Sequence, residues 1–156
     1  MITDLFNPNG LAFSPDEKKL YVVEWKGTPN RSIWSYDITE DGKASNKTKV
    51  VDAADQGVLD GFRVGRDGNL WCGYGSTGAP NHEPTDVGGR KVFTLKGKSE
   101  DLDGVKVFNP QGKPIGFIRL PERCGNLCFG GPKNNRLYMA SGHSLYALYV
   151  EAHGAV

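Results

Sequence analysis

One hairpin motif occurs three times in this chain, and that repetition limits the fold more than any other feature. The three stretches are "NGLAFSPDEKKLYVVEW" from Asn9, "DGFRVGRDGNLWCGY" from Asp60 and "GNLCFGGPKNNRLYMAS" from Gly125. Each opens on a Gly-containing pair and runs into a short β-type segment. A polar turn rich in Asp, Asn, Gly or Lys follows. A second apolar segment then begins with an aromatic nearby: Tyr21, Trp71 and Tyr138. A third strand-like piece comes after each hairpin ("RSIWSYDI", "GVKVFNP", "SLYALYV"), and a fourth comes twice ("KTKVVDA", "PIGFIRLP"). A unit of four short antiparallel strands, about 50 residues long, has the content and period of a propeller blade.

The expected fold class is therefore all-β: a β-propeller of four-stranded antiparallel blades, with about three blades in this chain, an arc of a ring that closes with roughly four to eight. The expected single domain over 1–156 divides into four parts. Residues 2–6 are read as the outer strand of a blade whose earlier strands are missing. A blade follows over 9–55. A second covers 60–121 and carries a long exposed loop over 75–103. An incomplete last blade covers 125–151. No segment shows a convincing 3.6-residue apolar period, so no helix is expected. An arc of three blades leaves two apolar blade faces uncovered, which would allow self-association.

Composition agrees with this and narrows the function. The 21 glycines and 9 prolines among 156 residues suit many turns and short strands. A chain of this length buries roughly 68–70% of its unfolded surface, enough for a real core. The net charge of +1 comes with no Lys/Arg block, so nothing electrostatic points to nucleic acid or an anionic membrane. There is no run of 18 apolar residues and no signal-peptide pattern at the start, which makes the cytoplasm the default location. An export signal on a missing N-terminal half would change that. The three cysteines, Cys72, Cys124 and Cys128, have no disulfide-framework or zinc spacing and read as small buried hydrophobes. His82, His143 and His153 form no metal pair, and there is no G-x-S-x-G or Walker A loop.

The ordered combination "PNGLAFSPD … DG-x-RV-x-x-DGNLW … NL-x-FGG" resembles the C-terminal half of the SMP-30/gluconolactonase/LRE family, also called regucalcin-like proteins. The resemblance covers nearly the whole chain. It implies that these are about three blades of a six-bladed ring, with one divalent metal in the central channel and hydrolysis of a sugar lactone. Calcium is foremost, with Mg²⁺, Mn²⁺ or Zn²⁺ as alternatives. Two of the family's metal ligands map onto Asn9 and Asp60. The Glu of an "EGP"-type motif, which would be the third, has no counterpart here.

The residues themselves support that placement. Asn9 and Asp60 precede equivalent inner strands in successive blades, so both should converge on the propeller axis. Amide and carboxylate oxygens are hard donors that suit such cations. Asp60 is also the expected general base toward water. Both pairs, Asn9-Gly10 and Asp60-Gly61, also read as ordinary turn chemistry. Glu24 and Asn126 are expected to line the substrate pocket. Asp16 and Asp67 read as hairpin-turn residues, and Trp25 and Trp71 as packing. The competing expectation is a non-catalytic half-propeller, a binding or scaffold module from a truncated gene.

Overall fold

The structure is a computed structural model and describes residues 1–25, 31–54, 57–76, 85–87, 90–92 and 99–155. Its core is made by three antiparallel sheets in chain order. The first joins β1 (Pro8–Phe13), β2 (Lys19–Glu24), β3 (Arg31–Ile38) and β4 (Ala44–Ala54) as a simple meander. The second joins β5 (Val58–Val64), β6 (Leu70–Gly75), β9 (Gly104–Phe108) and β10 (Pro114–Arg119) in the same way. The third contains β11 (Cys124–Gly130), β12 (Arg136–Ser141) and β13 (Leu145–Tyr149). These are successive blades of a partial β-propeller, with β1, β5 and β11 as neighbouring inner strands.

Local chemistry explains the hairpins. In the first turn, the Asp16 carboxylate accepts hydrogen bonds from the Ser14 hydroxyl (2.6 Å) and the Lys18 amide (3.2 Å). In the second, Asp67 accepts from the Asn69 amide at 3.1 Å. Both aspartates hold turns, as the sequence implies, because a short acidic side chain can bond the backbone two residues on.

Two apolar layers join the blades. Tyr21, Val23 and Ile33 of the first sheet pack with Leu59, Phe62 and Cys72 of the second. On the other face of the second sheet, Val105 packs with Cys124, Leu127, Leu137 and Met139. The middle sheet is thus covered on both sides, which is why β5 alternates poorly and buries Val58, Leu59, Phe62 and Val64 together. Trp71 packs edge-on to Phe129 with ring centroids 5.5 Å apart, and Trp25 packs on the first layer. The chain end also ties blades together: Gly65 bridges Gly154, and the Arg66 amide donates to the His153 carbonyl at 2.9 Å.

Four expectations need correction. Residues 2–5 form no strand; Asp4 instead bonds Tyr36 Oη (3.0 Å) and pairs with Lys47 (3.1 Å) along the flank of the first sheet. A strand exists only where a partner offers a ladder, and here side-chain contacts hold the segment. The stretch over 75–103 is not wholly loop: it holds the β7–β8 hairpin (Thr85–Val87 and Arg90–Val92) and one helical turn, α1 (Ser99–Leu102). Leu102 anchors that turn on the apolar layer, a tertiary effect with no periodic signature. His82 lies outside the described residues. Finally, Cys72 and Cys124 are buried but Cys128 is exposed. Alternation along β11 buries Leu127 and turns Cys128 to the same side as Asn126.

Candidate metal and substrate site

The Asn-Gly and Asp-Gly pairs are not turns. Asn9 and Gly10 lie inside β1, and Asp60 and Gly61 inside β5. Both strands slip register there: a bulge falls between Pro8 and Leu11, and another between Leu59 and Phe62. The third inner strand repeats this between Cys124 and Asn126. A bulge adds an unpaired residue and re-aims a side chain. Three equivalent bulges thus sit at one end of three adjacent strands.

The glycines allow the strands to meet. A Cβ at Gly10 would stand 2.6 Å from the Asp60 carbonyl oxygen and 3.0 Å from Gly61 Cα. A Cβ at Gly61 would overlap the Asn126 amide. Close backbone approach, not turn formation, is what requires glycine here.

The resulting geometry brings Asn9 and Asp60 together. Asn9 Nδ2 donates to Asp60 Oδ1 at 2.9 Å. Asn9 is exposed, whereas the Asp60 side chain keeps only 18% of its surface. Burial pushes the Asp60 carboxyl above its ordinary range, and Arg123, Asn9 and the Gly61 amide only partly offset this. The Arg123 guanidinium stands 3.8 Å from Asp60 Oδ2. Asn126 is exposed, rests against Gly61, and its Oδ1 accepts from the Leu127 amide at 2.9 Å. It therefore neighbours the pair, as a pocket-lining residue would.

Glu24 does not join this group. Its Oε1 accepts from the Phe6 amide at 2.7 Å and its Oε2 from the Trp34 indole at 2.8 Å. Both oxygens serve the flank of the first sheet, so the expected substrate role has no support in the geometry. Arg123 is the residue that sequence reading missed. It lies just before β11, at the level of the bulges, and a cation one position before "CGN" was the available clue.

Leu11, Phe13, Glu17, Arg63, Cys128 and Phe129 line a separate cavity of about 390 Å³, and Asn9, Asp60 and Asn126 are not on its wall. The fit to a divalent cation can be tested on the donors. Asn9 and Asp60 supply two hard oxygen donors at one point, and rotating the Asn9 amide would present its oxygen in place of Nδ2. The donor chemistry fits. Among the described residues, no three His, Cys, Asp or Glu side chains cluster as a ligand set.

A fold of successive four-stranded blades, with hard oxygen donors on bulged inner strands, defines the class. Residues 1–143 match the family model described as SMP-30/Gluconolactonase/LRE-like region, and the chain belongs to that family. The gluconolactonase of Zymomonas mobilis is 28% identical over 160 residues, covering 96% of this chain and 36% of that protein. A gluconolactonase structure from Xanthomonas campestris aligns with a TM-score of 0.67 and 30% identity, over 95% of this chain and 39% of that one. Regucalcin from Agrobacterium tumefaciens shares the fold, with a TM-score of 0.69 at 17% identity, over 94% of this chain and 47% of that one. The chain spans between a third and a half of the length of these relatives.

Proposed function

We propose that this chain carries part of the active site of a sugar lactone hydrolase, with Asn9 and Asp60 as its share of a divalent-metal site. The observation that carries this is the contact between Asn9 and Asp60 at equivalent bulges of adjacent inner strands. The match to gluconolactonases supports the substrate class. A bound divalent cation, with calcium the first candidate, would polarise the lactone carbonyl and favour the ionised form of Asp60.

The chain's own residues supply the rest. The Asp60 carboxylate takes a proton as the water oxygen bonds to the lactone carbonyl carbon. The carbon–oxygen bond of the ring then breaks, and the departing ring oxygen takes up that proton, giving an open hydroxy acid. Without a cation Asn9 fixes the carboxylate by donating to Oδ1; with one bound, the rotated amide would give its oxygen to the cation instead. Asn126 borders the same space through Gly61 and offers an amide to substrate hydroxyls. Burial strengthens Asp60 as a base by raising its pKa, while a cation would weaken it.

Calorimetry with Ca²⁺, Mg²⁺, Mn²⁺ and Zn²⁺, paired with pH-stat hydrolysis of gluconolactone, tests this reading. Wild type should bind one cation, and Asn9→Ala and Asp60→Ala should not. If cation binding is unaffected by Asp60→Ala, the site assignment is wrong.

A further inference from the structure

Arg123 is placed beside the reacting centre in a way that ion pairing with Asp60 does not explain. At 3.8 Å its guanidinium is beyond the roughly 2.7–2.9 Å of a charge-assisted hydrogen bond, so its N–H donors are not spent on Asp60. Asp60 Oδ1 is already engaged by Asn9. Nor is Arg123 a loose surface side chain. Its stem lies across Gly75 at the end of β6, where any Cβ would overlap Arg123 Cγ. The side chain remains 40% exposed.

Apart from that long ion pair with Asp60, the described acids next to it in sequence and space are engaged elsewhere. Glu122 is turned away: it accepts from the His143 amide (2.7 Å) and the Tyr146 hydroxyl (3.0 Å). Asp103 is buried, with Oδ1 accepting from the Ser76 amide at 2.8 Å. The result is a held, forked cation that makes no hydrogen bond among the described residues and stands partly open to solvent within 4 Å of Asp60.

We propose that Arg123 is an anion-binding residue that grips the carboxylate of the ring-opened sugar acid on its solvent side. This rests on the lactonase reading above. Hydrolysis creates a carboxylate at the carbon attacked beside Asp60, so the new charge appears where the guanidinium waits. A planar fork matches a carboxylate with two parallel hydrogen bonds, which an ammonium cannot do.

The test is binding without turnover. The chain, dialysed against chelator, is titrated by calorimetry or ligand-observed NMR with gluconate and with glucitol, its uncharged counterpart of equal length. Wild type should prefer gluconate by about tenfold or more. Arg123→Gln should erase the preference, and Arg123→Lys should keep only part of it, with melting curves near wild type. No preference in the wild type overturns the proposal, as does a preference that survives Arg123→Gln. Should Arg123→Gln fail to fold, Arg123→Lys with an undiminished preference is the overturning result. If lactone hydrolysis fails while Arg123-dependent gluconate binding holds, the catalytic reading falls alone.

Discussion

Asn9 and Asp60 stand 51 positions apart in sequence, yet Asn9 Nδ2 lies 2.9 Å from Asp60 Oδ1. The contact joins two blades at their inner edges, and it holds a carboxylate that burial disfavours. Removing that charge should trade function for stability. Asp60→Asn keeps an acceptor for Asn9 but no longer buries a charge. We expect its metal-free melting temperature to equal or exceed that of wild type by a few degrees, and its divalent-cation affinity to fall at least about tenfold. Thermal melts and calorimetry on the same samples check both halves.

The strand junction should resist a single methyl group. Gly10→Ala places Cβ 2.6 Å from the Asp60 carbonyl oxygen, which is backbone and has little room to move. Overpacking of this kind costs about 1–3 kcal/mol. Gly61→Ala instead meets the side-chain amide of Asn126, which can swing away. Denaturant melts should therefore show Gly10→Ala as the more destabilising change.

Phe62 is fully buried in the layer between the first two blades. Phe62→Ala should lose about 3–5 kcal/mol. For a chain of this size, that lowers the melting temperature by roughly 6–20 °C. Differential scanning calorimetry gives the value directly.

The β12–β13 turn should loosen in acid. Hydrogen bonds from Ser144, the His143 amide, Tyr146 and the His143 ring hold the Glu122 carboxyl below its ordinary range. A depressed carboxylate contributes stability above its unfolded pKa and loses it as pH falls through the folded one. The protection of the His143 amide, taken relative to its intrinsic exchange rate at each pH, should be high near neutrality and fall below the ordinary Glu range. Glu122→Gln should exchange faster than wild type at neutral pH and lose most of this pH dependence.

Much of this architecture was legible in the chain. Short apolar runs between punctuated turns placed strand-like pieces at Leu20–Val23, 31–38, 104–110 and 144–150, and the structure forms β2, β3, β9 and β13 there. What escaped was tertiary. Asn-Gly looks the same in a turn and in a bulge pressed against another strand, and only the neighbour decides. Glu24 sits where a pocket residue could be, but the Trp34 indole and the Phe6 amide claim its oxygens. Arg123 carried no motif of its own, because Gly75, some 50 residues upstream, is what aims it.

The register slips on β1, β5 and β11 recur near the start of each inner strand and differ in the side chain found there: an amide, a carboxylate, and an amide set one place later. Shape and chemistry are therefore separable in this protein. The blade supplies a socket facing the axis, and one residue plugged into it decides what that blade contributes. Because the socket lies outside both apolar layers, its occupant can be exchanged without disturbing the packing that holds the blades together.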